Sequence, residues 1–134
     1  QEVIVQPFRP HAQTGMARAP EAGLDLLLDA VAEARCRLPA EVSVQAPPNL
    51  APGAIEALIE AGINDFGGLS ALTPDYINPS HAWPHVEALA ARCASLGFEL
   101  RPRLPVYDRY IREAGWLDAG LCEPVQQALT RAAA

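Results

Sequence analysis

Ala61-Gly62-Ile63-Asn64-Asp65-Phe66-Gly67-Gly68-Leu69-Ser70-Ala71-Leu72-Thr73-Pro74-Asp75-Tyr76-Ile77-Asn78-Pro79 sets the plan of the chain. Gly62 reads as a helix stop and residues 63–66 as a short buried strand. Gly67-Gly68 turns the chain into a long polar loop that ends at a helix start on Asn78-Pro79. Two carboxylates and two amides lie among backbone that glycine leaves bare. Loops of this length inside a compact domain tend to carry function. A tight turn followed by an Asx-capped helix accounts for the same residues, and the stretch alone leaves both readings open.

Upstream, residues 2–8 alternate, with Val3 and Val5 opposite Glu2, Ile4 and Gln6, and Pro7 and Pro10 end the run. A helix is expected over residues 21–37, with Leu24, Leu27, Leu28, Val31 and Ala34 as its apolar stripe and Pro39 as its stop. Residues 42–46 form a second strand that leaves through the stiff Pro47-Pro48-Asn49. Pro52 opens a helix carrying Ile55, Leu58 and Ile59 to Gly62. Downstream, a helix spans residues 84–96. A fourth extended segment follows at 98–104, with Phe98, Leu100 and Leu104 opposite Glu99, Arg101 and Arg103. A short helix near 108–114, a turn at 115–120 and a tail helix from 123 complete the chain. Residues 1–114 read as one domain portion, and 115–134 as a turn and tail helix serving as an extension or linker.

The chain has 134 residues, half of them hydrophobic, which is enough for one core. Its net charge of -6 excludes a nucleic-acid or anionic-membrane footprint. All ten basic residues are arginines. Cys36, Cys93 and Cys122 are too scattered for a disulfide framework or a metal knuckle, and read as small hydrophobes of a reducing cytoplasm. No signal peptide or spanning apolar run is present. The first residue already belongs to a strand that needs neighbours on both edges in a parallel sheet, so the expectation is a piece of a longer protein.

Alternating strands and helices without hairpin signals give an α/β class built on parallel βα units. Buried parallel strands usually run continuously apolar. These instead place Gln6, Ser43, Gln45, Asp65, Arg101 and Arg103 on one face. A partial βα barrel with a ligand-binding lumen explains that polarity, because buried polar groups need partners. A sheet with one solvated face is the alternative. In parallel α/β folds ligands bind at the C-terminal strand ends, which selects residues 6–9, 45–49, 65–68 and 103–107. There, Arg9 and Arg103 suit a carboxylate and Asn49 and Asn64 suit hydroxyls or a heteroaromatic base. Asp65 suits sugar hydroxyls or a base role, and Gly67 and Gly68 let backbone N–H groups approach a ligand. Each has an ordinary structural reading: an ion pair, a capping amide, a turn. His81 and His85 have zinc-pair spacing, but Pro84 lies between them and no third ligand is evident, so no metal site is expected.

Several strings together carry a family resemblance: Gln6-Pro7-Phe8-Arg9, Gln45-Ala46-Pro47-Pro48-Asn49-Leu50, Gly62-Ile63-Asn64-Asp65-Phe66-Gly67-Gly68, Thr73-Pro74-Asp75-Tyr76-Ile77-Asn78-Pro79, Trp83-Pro84-His85 and Arg103-Leu104-Pro105-Val106-Tyr107. They resemble the radical SAM deazaflavin (FO) synthases over most of the chain. Pro7 departs from the asparagine usual in that family, Pro10-His11-Ala12 from its Ala-Lys-Pro, and Phe66 from a common tryptophan. The resemblance implies the C-terminal βα units of a radical SAM TIM-type barrel. It implies a lyase that forms 7,8-didemethyl-8-hydroxy-5-deazariboflavin, with loss of ammonia, from a tyrosine-derived adduct of 5-amino-6-ribitylaminouracil. The implied cofactors are S-adenosyl-L-methionine and a 4Fe–4S cluster whose Cys-x-x-x-Cys-x-x-Cys loop this chain lacks, so the chain alone is expected to be inactive. The implied partner is the adduct-forming radical SAM subunit or fused module. Gln6 and Arg9 are then expected near the cofactor; Gln45, Asn49, Asn64, Asp65, Arg103 and Tyr107 near the substrate, with Asp65 the catalytic candidate. Two rivals are a non-catalytic partial barrel that self-associates through its open edges, and a cluster-free β/α-barrel enzyme.

Overall fold

In the computed structural model, which describes residues 1–70 and 72–132, two strands pair in parallel. They are β1 (Glu2–Ile4) and β2 (Ser43–Gln45), with Val3 beside Val44 and Ile4 beside Gln45. The ladder extends by one bond at each end, from Ser43 N–H to Gln1 O at 3.1 Å and from Val5 N–H to Gln45 O at 2.8 Å. The crossover between them is α1 (Leu24–Arg37), so the chain opens on a β-α-β unit, as a parallel pair requires. A 3-10 turn (Pro48–Leu50) leads from β2 into α2 (Ile55–Ala61), and α3 (Val86–Ser95) follows the long loop.

The core forms where one face of each element meets the others. Leu27 and Val31 come from α1, Val44 and Ala46 from β2 and its exit, Leu58 from α2, and Ile63 from the segment after it. Val31, Val44 and Leu58 are fully buried, and each side chain contributes about 1.5–3 kcal/mol. α3 buries Leu89 and Cys93. It is tied to α2 by Arg92, whose Nε donates to Glu56 Oε1 at 2.6 Å and whose Nη1 donates to Pro52 O at 2.7 Å.

Chain compactness divides Gln1–Phe98 from Glu99–Ala134, so the expected division at 114–115 falls inside the second unit. That unit holds α4 (Asp108–Arg112), a 3-10 turn (Ala119–Leu121) and α5 (Cys122–Ala132). The turn is held by Asp118 Oδ1, which accepts from Gly120 N–H at 2.8 Å. The last two residues of the expected tail helix lie outside the described residues.

Several elements differ from expectation: β1 ends at Ile4 rather than running to residue 8, and the helix start expected at Asn78-Pro79 is a turn, with α3 beginning only at Val86. The third strand, expected at 63–66, is a single parallel bridge between Gln45 and Asp65, with Asn64 N–H on Val44 O at 3.1 Å. An Asx turn at Asp65, closed by Gly67 N–H at 2.7 Å, bends the backbone away after that one bridge. Residues 98–104 form no strand: Pro102 and Pro105 remove ladder donors, and Glu99 and Arg101 pair locally. α1 starts at Leu24 because the residues before it are tied elsewhere, with Ala22 N–H on Phe8 O at 3.1 Å and Glu21 paired to Arg9.

Candidate functional site

The bridge between Gln45 and Asp65 and the β1–β2 register put Glu2, Ile4, Ser43, Gln45 and Asp65 on one face, opposite the helix-packed Val44. Gln45 is 3% exposed, and its Nε2 donates to Glu2 Oε2 at 2.6 Å. Its Oε1 sits where a side chain at Gly67 would go: a Cβ there would lie 3.0 Å from that oxygen, with the backbone at φ +74°. Glycine at 67 therefore serves both the left-handed turn and the close approach of the amide. Of the polar face expected from alternation, Ser43, Gln45 and Asp65 share one side here together with Glu2, whereas Gln6 lies past the end of β1 and Arg101 and Arg103 lie in a segment that forms no strand.

At the C-terminal end of β2, Pro47 and Pro48 stiffen the exit and deliver Asn49 into the interior at 1% exposure. Its Nδ2 donates to Asp75 Oδ2 at 2.9 Å and to the His81 carbonyl at 3.2 Å. Asp75 gathers the loop: Oδ1 accepts the N–H groups of Ile77 at 2.9 Å and Asn78 at 3.0 Å, and Oδ2 also accepts Asn78 Nδ2 at 3.2 Å. Burial pushes the Asp75 carboxyl up. The donors from the Asn78 backbone, Asn49, the Asn78 side chain and Ile77 outweigh it and hold the pKa below the ordinary carboxylate value. Sequence reasoning had Asn49 as a site residue but missed Asp75 and Asn78. The Asp-x-x-Asn spacing before Pro79, an Asx-turn pattern, was the available signal.

The remaining predicted residues separate. Asn64 follows the strand alternation to the helix side, where its Oδ1 accepts from Val44 N–H at 2.9 Å and Arg35 Nη2 at 3.1 Å. Arg35, in the last turn of α1, also donates to Gly62 O at 2.9 Å and Val42 O at 3.1 Å. Asn64 is thus not brought to the face that carries Gln45 and Asp65. The Arg9 guanidinium pairs with Glu21 and donates to Leu50 O, which fastens the β1 exit to the turn holding Asn49. Gln6 is exposed and lines a cavity of about 220 Å³ with Val5, Pro7, Leu26 and Leu27. In the second unit the Arg103 guanidinium lies over the Tyr107 ring, 4.4 Å from its centroid.

No group of three or more His, Cys, Asp or Glu among the described residues has the geometry for a metal ion. Cys36 on α1 and Cys122 on α5 are exposed and Cys93 on α3 is buried, so these thiols do not fit an iron–sulfur cluster. No described helix is long and apolar enough to cross a membrane.

Comparison with known proteins agrees with the family resemblance read from the sequence. The chain is 48% identical over 122 residues to the FO synthase of Streptomyces coelicolor, a match covering 90% of this chain and 14% of that protein. The sequence is homologous to one segment of the FO synthases. The 7,8-didemethyl-8-hydroxy-5-deazariboflavin synthase of Halobacterium salinarum is 45% identical over 121 residues, covering 90% of this chain and 32% of that protein. The synthase of the same name from Methanopyrus kandleri is 45% identical over 127 residues, covering 95% of this chain and 37% of that protein. The chain therefore spans between about one seventh and just over one third of these FO synthase relatives. No family model matches the chain, and no solved structure matches it significantly.

Proposed function

We propose that this chain supplies the substrate-binding strand ends of an FO synthase, an enzyme that forms the deazaflavin from a tyrosine-derived adduct of 5-amino-6-ribitylaminouracil. The observation that carries this is identity of 44–48% across about nine tenths of the chain with proteins bearing that name. The fold supports it: β-α-β order, parallel pairing and an Asp65 bridge beyond β2 are what consecutive units of a βα barrel would give. So does the polar face. The Gln45 and Asn49 amides offer the neutral groups, and Asp65 the acceptor carboxylate, that a pyrimidinedione and a ribityl chain require.

In this reading the parent protein is a radical SAM lyase of the cytoplasm that works with an adduct-forming subunit or module. S-adenosyl-L-methionine and a 4Fe–4S cluster would supply its radical chemistry, with the cluster ligands on sequence other than this chain. The test is anaerobic reconstitution of the longer protein that carries this segment, followed by assay for the fluorescent deazaflavin with the adduct as substrate. FO formation supports the reading. A protein that loads its cluster and cleaves S-adenosyl-L-methionine but forms no FO, beside an active Streptomyces coelicolor enzyme, overturns it.

A further inference from the structure

Asn49 is held in one orientation by chemistry. Both partners of its Nδ2, the Asp75 carboxylate and the His81 carbonyl, accept only. Turning the amide over would set oxygen against oxygen at both contacts. The Asn49 oxygen must therefore point away from them, and there Oδ1 is buried with no hydrogen-bond partner among the described residues. A buried acceptor of this kind is an interaction held ready for a donor.

We infer that Asp75 is a positioning residue that fixes the Asn49 amide so that its oxygen accepts an N–H or hydroxyl donor of the bound substrate. This rests on the proposed reading of the site and deepens it. The position takes a neutral donor and rejects an acceptor-only group such as a carboxylate. Asp75 never touches the ligand. Its own oxygens are filled by Asn49, the Asn78 side chain and the two loop N–H groups. The loop residues 72–77 carry no helix or strand, and Leu72, Tyr76 and Ile77 are at least 80% exposed.

Asp75→Asn is the discriminating change. The new amide keeps an oxygen for the Ile77 and Asn78 N–H groups but turns an NH2 toward the Asn49 NH2, so that contact becomes donor against donor. Only the His81 carbonyl still favours the original orientation, and the Asn49 oxygen is no longer held in place. In the full-length protein, the dissociation constant for 5-amino-6-ribitylaminouracil and KM for the adduct should each rise about tenfold, the scale of one buried hydrogen bond. The kcat should stay within about threefold. Asn49→Leu should give a similar loss, and the double variant no further loss, because the two act through one oxygen. Ser70→Ala loosens the same loop, where the Ser70 hydroxyl holds Leu72 and Thr73, without touching Asn49 or Asp75, and should leave binding within about twofold. Equal weakening by Ser70→Ala means that loop integrity alone matters, and it overturns the inference.

Ring-N-methylated and ribityl-free analogues tell whether the donor is a ring N–H or a hydroxyl. If neither analogue loses affinity at wild-type Asn49, no donor is read there and the inference fails. Crystal structures of the wild type and Asp75→Asn at a resolution that fixes the amide by its partners give a readout independent of the ligand. An Asn49 amide as well fixed in Asp75→Asn as in the wild type overturns the positioning role even if FO synthesis stands, whereas a wild type that does not bind the adduct overturns the proposed function.

Discussion

Asn64 Oδ1 accepts the Val44 backbone N–H at 2.9 Å and so occupies the place of a carbonyl on a third strand. Val44 is fully buried, and its N–H would otherwise face the core side of a ladder that ends after one bridge. Arg35 Nη2 steadies the same oxygen from α1 at 3.1 Å. Replacing Asn64 by Leu strands a buried donor and removes an Arg35 acceptor, and should destabilise the protein by about 1–3 kcal/mol. Asn64→Asp keeps an acceptor for both and should cost clearly less. Denaturant midpoints decide: equal losses for the two variants would show that the oxygen is not what holds the strand edge.

The pH dependence of the α2–α3 contact follows from Glu56. Its hydrogen bonds from Arg92 are the leading cause of a carboxyl pKa lowered to about 2, from an ordinary 4.5. A carboxylate depressed on folding stabilises the native state fully above its ordinary value, and that contribution fades as pH falls toward the folded value. Wild type should therefore exceed Glu56→Gln in thermal midpoint at pH 6, and the gap should close between about pH 4.5 and pH 2. A gap that persists unchanged at pH 2 would assign the difference to packing rather than to charge.

The thiols should divide by burial. Cys36 and Cys122 are exposed, whereas burial pushes the Cys93 thiol up and encloses it against α2 and α3 neighbours. The thiolate is the nucleophile, so iodoacetamide at pH 8 should label the first two at least about tenfold faster than Cys93 in native protein. Peptide mapping by mass spectrometry reads the three sites separately, and denaturant should equalise them. Rapid native labelling of Cys93 would mean that α3 opens readily from α2.

The helices were legible because their stripes were: Leu27 and Val31, Leu58, and Leu89 with Cys93 are all buried. Parallel pairing of the first two strands was legible from the βα order, and Asn49 from its place at a strand end. The third strand was not, because its sequence is strand-like while its extent depends on neighbours that a local pattern does not contain. Residues 98–104 alternate as a strand should, yet prolines and a local ion pair take up what a ladder would need. The loop network escaped because Asp75 looks like any turn aspartate until Asn49, 26 residues earlier, is seen to donate to it. Asn64 and Asp65 are adjacent, and alternation alone sends them to opposite faces, one to the scaffold and one to the polar face.

Gly67 tests whether the Gln45–Asp65 face is tuned or merely present. Its backbone lies at φ +74°, where a side chain costs about 1–2 kcal/mol, and a Cβ would meet Gln45 Oε1 at 3.0 Å. Relief of that contact requires the Gln45 amide to turn, which breaks its bond to Glu2. Gly68 is the internal control, since a Cβ there meets nothing within 4 Å and its φ is not in the left-handed region. Gly67→Ala should lower stability by about 1–2 kcal/mol. In the longer protein it should also reduce FO formation about tenfold, whereas Gly68→Ala should change neither by more than about twofold. Stability is read from denaturant midpoints and activity from deazaflavin fluorescence. If Gly68→Ala falls as far as Gly67→Ala, the loop backbone as a whole is sensitive, and the close approach of Gln45 is not what the glycine serves.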